Sequence, residues 1–102
     1  SYEKPSACQL EKIERIWLDN QEIKESMPND EILQLGWRLS SLANLNTSEQ
    51  IFMLLYARGI KNETLSHFAR KLALAFEERE HEAKKVRFEK AADEIYERCR
   101  RY

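Results

Sequence analysis

Glycine and proline are scarce in this chain, with two of each among its 102 residues. Neither occurs from Ile60 to Tyr102, and strong helix formers (Ala, Glu, Lys, Arg and Leu) dominate that segment. The segment therefore predicts one long helix over residues 62–101, about 60 Å long at 1.5 Å per residue. A helix of that length exceeds the width of a domain of this size, so it must project, pair with a partner or fold back.

Residues that support catalysis or metal binding are also few. Cys8 and Cys99 form no CxxC pair, and the only histidines are His67 and His81. The pattern Glu78-x-x-His81 occurs once, in the most charged stretch, whereas carboxylate-bridged iron sites need two such motifs. The chain has no glycine-rich phosphate loop and no glycine elbow to present a nucleophile. We therefore expect a protein that is not an enzyme and that needs no cofactor or metal.

Neither sign of charge is in excess, and long apolar runs are absent. Seventeen basic and eighteen acidic residues give a formal net charge of −1, so no global field attracts nucleic acid or anionic lipid. The sequence contains no apolar run of eighteen residues and no segment with the pattern of a signal peptide. We expect a cytoplasmic protein that does not bind membranes.

What the sequence does contain is apolar periodicity of the helical kind ahead of the long segment. A capping box at Ser6 opens a first amphipathic helix that Pro28 ends, and a second helix follows it. Residues 51–57 are apolar on every side and predict a third helix at the centre of the fold, closed by Gly59. Asn62 would open the last helix. The predicted fold is all-α: one domain, residues 1–102, forming a small bundle of about four helices with a long C-terminal helix. The apolar positions of the first two helices are Leu10, Ile13, Ile16, Trp17 and Ile23, then Ile32, Leu33, Leu35, Leu39, Leu42 and Leu45.

Two apolar residues, Val86 and Phe88, stand in the charged middle of the long segment. On a projecting helix they would be exposed, and exposed aromatic side chains at helical spacing are typical of interfaces. We therefore predict a small regulatory or adaptor protein that binds a protein partner, or a second copy of itself as a homodimer, through this helix. The basic residues around them have a simpler interpretation: they balance the charge of the acidic residues that precede them on a helix surface exposed to solvent. The predicted partner-binding residues are Lys84, Lys85, Val86, Arg87, Phe88, Ala91 and Ile95.

An alternative function is DNA binding by a helix-turn-helix between Thr47 and Lys71. The pattern has an apolar helix, a turn with Gly59 and a second helix that opens at Asn62. Leu55 stands where the motif normally requires a small residue for close helix packing. Nucleic acid is thus the alternative partner, and its predicted contacts are Thr64, His67, Arg70 and Lys71.

Overall fold

The computed structural model describes residues 6–41, 45–60 and 62–100, and over these ranges it contains six α-helices and no strand. The all-α class is confirmed, although the described residues form six helices where the sequence predicts about four. Leu42 and Arg101, which the sequence places in helices, lie outside the described residues. The helices are α1 (Ala7–Asp19), α2 (Gln21–Ser26), α3 (Asn29–Leu39), α4 (Asn46–Ala57), α5 (Glu63–Glu78) and α6 (Glu82–Arg100).

The predicted long helix over residues 62–101 is two helices. Helix α5 ends at Glu78, and Glu80 adopts the left-handed conformation with a φ of 56°. The Glu80 N–H donates to the Glu77 carbonyl at 3.0 Å, and the His81 N–H donates to the Phe76 carbonyl at 2.8 Å. This pair of bonds is the Schellman motif that closes many helices, and the ring contact between Phe76 and His81 supplies its usual apolar partner. The prediction of one continuous helix is therefore wrong. The usual signal of a helix end is missing from the sequence here, because a glutamate occupies the position where glycine is usual.

The two halves of the segment pack against each other as an antiparallel hairpin. The Ser66 hydroxyl donates to the Ala92 carbonyl at 2.8 Å, in a buried part of the contact. Nearer the turn, the rings of Phe76 and Phe88 stack with centroids 5.5 Å apart. Most polar residues between Glu77 and Lys90 are exposed to solvent on the hairpin, and Lys84 and Lys85 are partly buried. Of the three arrangements that the length of the segment allowed (projecting, pairing with a partner or folding back), the structure shows folding back.

Helix α4 joins this hairpin through aromatic contacts. The ring of Phe52 meets the rings of Phe68 and Phe88 edge to face, at centroid distances of 5.9 and 5.3 Å. One face of α4 is buried, whereas Met53 on another face is partly exposed, so α4 is not enclosed on every side as its sequence suggests. Helix α5 has the larger set of buried residues: Leu65, Ser66, Phe68, Ala69, Leu72, Ala73 and Phe76.

The remaining helices cover the other side of the core. The first predicted helix is divided at Asn20, whose side chain accepts from the Ile23 N–H at 3.1 Å and so opens α2. In α1, Leu10 and Trp17 are buried but Ile16 is 57% exposed, so the predicted apolar stripe is only partly covered. In α3, Gly36 lies against the side chains of α4 and α5, where a Cβ would stand within 3 Å of Ile51 and Phe68.

Candidate interaction surface

The predicted partner-binding residues separate into buried and exposed groups. Phe88 is 1% exposed and Ile95 is 2% exposed, because the hairpin turns both side chains into the core. These two residues cannot form an exposed interface, and their assignment to one is corrected here. Val86 is 37% exposed on α6, and Lys85 approaches Glu77 and Glu82 near the hairpin turn at 3.7 and 3.9 Å.

A groove between α4 and α6 is lined by two of the remaining predicted residues, Arg87 and Ala91, and the third, Lys84, pairs with Glu49 of α4. The two helices run in the same direction, since Glu49 faces Lys84 at one end and Tyr56 faces Glu94 at the other. The groove between them has a volume of about 260 Å³, and the buried rings of Phe52 and Phe88 contribute to its lining. We call it the α4–α6 groove; its lining residues are Phe52, Met53, Tyr56, Arg87, Phe88, Lys90, Ala91 and Glu94.

Polar contacts connect the two helices at both ends of the α4–α6 groove. The Lys84 ammonium lies 2.9 Å from the Glu49 carboxylate, and the two side chains are only 32% and 17% exposed. At the other end, burial raises the pKa of the Tyr56 hydroxyl, and its hydrogen bond to Glu94 raises it further. These contacts join α4 to α6 on either side of the groove.

The basic residues of the α4–α6 groove differ in whether they have acidic partners. Lys84 pairs with Glu49 at the end of the groove, and Arg98 pairs with Glu94 one turn further along α6. Arg87 and Lys90 form no ion pair with any described residue, and the one polar contact of Arg87 is a weak one, 3.9 Å from the Met53 sulfur. Two cations without an ion pair to any described residue therefore stand beside an apolar floor, in a groove whose lining also includes the Glu94 carboxylate.

Two of the four predicted DNA-binding residues already contact other side chains of the protein, and the other two line a second groove. Arg70 forms an ion pair with Asp93 at 2.7 Å, and the Lys71 ammonium lies 4.5 Å from the centre of the Trp37 ring. Thr64 and His67 line a groove between α3 and α5. The helix, turn and helix outline is present, with Gly59 at a φ of 72° and the Asn62 side chain accepting from the Thr64 N–H. The two predicted cations, Arg70 and Lys71, already contact other groups of the protein, which does not favour DNA binding. DNA binding stays a prediction from the sequence.

Several residues of the candidate surface were not predicted from the sequence. Met53 and Tyr56 fall in the segment interpreted as apolar on every side, and Glu94 is not among the predicted partner-binding residues. Tyr56 carried the one available signal, since a hydroxyl in an otherwise apolar helix favours an edge of the core where it can find a partner. The pairing of α4 with α6 depends on the turn at Glu80, which the sequence did not reveal.

Comparisons of the chain with protein-family models, with curated proteins and with solved structures found no match. Among the described residues, no helix has the length and apolar character needed to span a membrane. Nor does the described part of the chain bring three or more His, Cys, Asp or Glu side chains into an arrangement that could hold a metal ion.

Proposed function

We propose that this protein is a small, non-enzymatic interaction module, of a regulatory or adaptor kind, that binds an acidic segment of a partner protein at the α4–α6 groove. The observation that carries the proposal is the pair of cations, Arg87 and Lys90, which form no ion pair with a described residue and stand beside the apolar floor of the groove. In this proposal helix α6 has the role predicted for the C-terminal segment. The polar contacts come from the exposed Arg87 and Lys90, whereas Phe88 contributes only to the buried floor of the groove and Ile95 does not line it.

The size of the groove favours a side chain of a protein over a free ligand. Small-molecule sites usually enclose about 300–1,000 Å³, whereas this groove has about 260 Å³. That volume accommodates one apolar side chain as an anchor, which is how many protein interfaces concentrate their binding energy. Carboxylates that flank such an anchor would meet Arg87 and Lys90. Opposite charges of this kind increase the association rate and select among partners.

A second copy of the chain is one source of such a segment, and the proposal includes a homodimer for that reason. Four acidic side chains surround the hairpin turn and are exposed: Glu77, Glu78, Glu80 and Glu82. They form the acidic block that precedes the basic residues of α6 in the sequence. A different protein with an acidic segment is the other partner that the same chemistry admits.

Photo-crosslinking from inside the groove tests the proposal. The photoreactive residue p-benzoyl-L-phenylalanine is placed at Met53 in the groove, or at Leu74, which is 60% exposed on α5 outside it. We expect an adduct from position 53 and none from position 74 when the protein is irradiated in its host cells. The mass of the adduct distinguishes a second copy of the chain from another protein.

Charge reversal supplies the control for this experiment. The double variant Arg87→Glu and Lys90→Glu should abolish the adduct from position 53, because like charges would then oppose the acidic segment. The matched variant Lys12→Glu and Arg15→Glu changes the net charge equally on the exposed face of α1 and should leave the adduct intact. Equal adducts from positions 53 and 74, or an adduct that survives reversal in the groove, would contradict the proposal.

A further inference from the structure

A second groove lies between α3 and α5 and has no lining residue in common with the α4–α6 groove. Its volume is about 490 Å³, which falls within the range of about 300–1,000 Å³ that is usual for small-molecule sites. Most of its wall is apolar, and a few polar groups converge on it, as they do in ligand sites. We call it the α3–α5 groove; its lining residues are Leu33, Gln34, Trp37, Arg38, Thr64 and His67.

Trp37 is the main apolar surface of the α3–α5 groove, and its ring is held in place. Trp37 is 37% exposed, whereas the other tryptophan, Trp17, is 3% exposed. The ring packs on Phe68 with a centroid distance of 6.4 Å, and the Lys71 ammonium lies 4.5 Å from the ring centre. The same ammonium donates to the Trp37 carbonyl at 3.2 Å. A ligand that stacked on this indole would therefore meet a surface that is already ordered, which lowers the entropic cost of binding.

The polar residues of the α3–α5 groove are hydrogen-bond donors or cations. Arg38 carries a permanent positive charge, Gln34 and Thr64 can donate, and His67 can donate from its ring. None of the described residues that line the groove is acidic. The Lys71 ammonium on Trp37 adds positive charge beside it. A negatively charged group in this groove would meet complementary charge and donors, whereas a cation would meet repulsion.

We infer that the α3–α5 groove binds a small planar aromatic anion. The aromatic part of the ligand contacts the Trp37 indole and Leu33, and its carboxylate or phosphate group lies among Arg38, His67 and Thr64. Aromatic carboxylates and purine nucleoside monophosphates share this chemistry. The site is independent of the proposed partner surface, so either can fail in experiment without the other.

Titration followed by nuclear magnetic resonance tests the inference with two matched pairs of probes. The pairs are 2-naphthoate with 2-naphthamide, and adenosine monophosphate with adenosine. We expect saturable shifts of the Trp37 indole N–H and of the Thr64 and His67 amides with at least one anion, at a Kd on the order of 1 mM or tighter. The neutral member of the pair should bind at least about tenfold more weakly, because it lacks the charge-assisted contacts. Which anion binds identifies the class of ligand.

Two substitutions separate a site at the groove from general adsorption. Arg38→Gln and His67→Gln should each weaken binding of the anion by about tenfold, while Lys90→Gln in the other groove should leave the Kd unchanged. Circular dichroism of each variant confirms that the helices are retained. Equal binding of the neutral and charged probes, shifts centred on the α4–α6 groove, or no saturation up to about 10 mM would overturn the inference.

Discussion

Substitution of Phe88 by alanine tests the folded-back hairpin through the stability of the protein. The Phe88 side chain is 1% exposed and contacts two rings, with centroids 5.3 Å from Phe52 and 5.5 Å from Phe76. Removing a buried phenylalanine side chain costs about 3–5 kcal/mol, which combines lost burial with the cavity that remains. A domain of this size has a total free energy of unfolding of about 5–15 kcal/mol. The variant should therefore lose a large share of its stability.

Urea unfolding followed by circular dichroism measures this loss. With a slope of about 2 kcal/mol per molar urea, in the middle of the usual range for a small protein, the midpoint should fall by roughly 1.5–2.5 M and the slope should stay unchanged. Val86→Ala is the matched control on the same helix: Val86 is 37% exposed, and its truncation should cost less than about 1 kcal/mol. On a straight projecting helix both residues would be exposed and both substitutions would be mild. Equal effects of the two substitutions would refute the hairpin.

Three further predictions concern single positions in the described fold. Gly36→Ala should lower the free energy of unfolding by up to about 2 kcal/mol, because overpacking costs about 1–3 kcal/mol and the gain in helix propensity is about 1 kcal/mol. The new Cβ would stand 2.7–2.9 Å from Ile51 and Phe68. An unchanged thermal midpoint would show that these neighbours can move aside. Glu80→Gly should raise stability by roughly 0.5–1 kcal/mol, since glycine adopts the left-handed conformation without the steric penalty of a side chain; a lower thermal midpoint would contradict the Schellman turn. Because the pKa of Tyr56 is raised in the folded state, its contribution to stability is present below its unfolded value near 10 and is lost as the pH rises through the folded value. Urea midpoints between about pH 9 and pH 11 should therefore fall less steeply in Tyr56→Phe, and parallel slopes would argue against the raised pKa of the Tyr56 hydroxyl.

The helical class follows from local signals that depend on neighbouring residues alone. Ser6 forms the predicted capping box with Gln9, and Gly59 adopts the left-handed conformation that a helix end requires. Asn62 caps α5 as its sequence context indicates. Each of these features needs only a side chain that satisfies a nearby backbone group or a residue without a Cβ. A single sequence therefore carries enough information to predict them.

The turn at Glu80 could not be predicted in the same way. A left-handed residue other than glycine costs about 1–2 kcal/mol, so local preference argues against a helix end there. Burial of Phe88 and Ile95 against α5 and α4 offsets that cost, and this gain exists only in the folded chain. The same reasoning applies to Ile16, which has the right spacing for burial but remains exposed on α1. Tertiary packing decides both positions.

The two grooves depend on the same tertiary arrangement. Arg87 and Lys90 were recognised from the sequence as part of a basic patch, but their position beside Met53 and Tyr56 follows only when α6 returns alongside α4. The α3–α5 groove brings Trp37 beside His67, two residues on different helices that no sequence pattern connects. Sequence periodicity identifies which face of a helix is apolar, and it does not identify which other helix meets that face.

The return of α6 along α5 is the central claim, because the α4–α6 groove does not exist without it. The distance between spin labels at positions 70 and 93 measures it directly, in a background in which Cys8 and Cys99 are replaced by serine. In the structure the Arg70 and Asp93 side chains are in contact at 2.7 Å, so the hairpin predicts a label separation below about 20 Å, whereas a continuous helix would place the two positions about 35 Å apart. A distribution centred near the shorter distance would support the fold and the groove built on it, and one centred near the longer distance would contradict both.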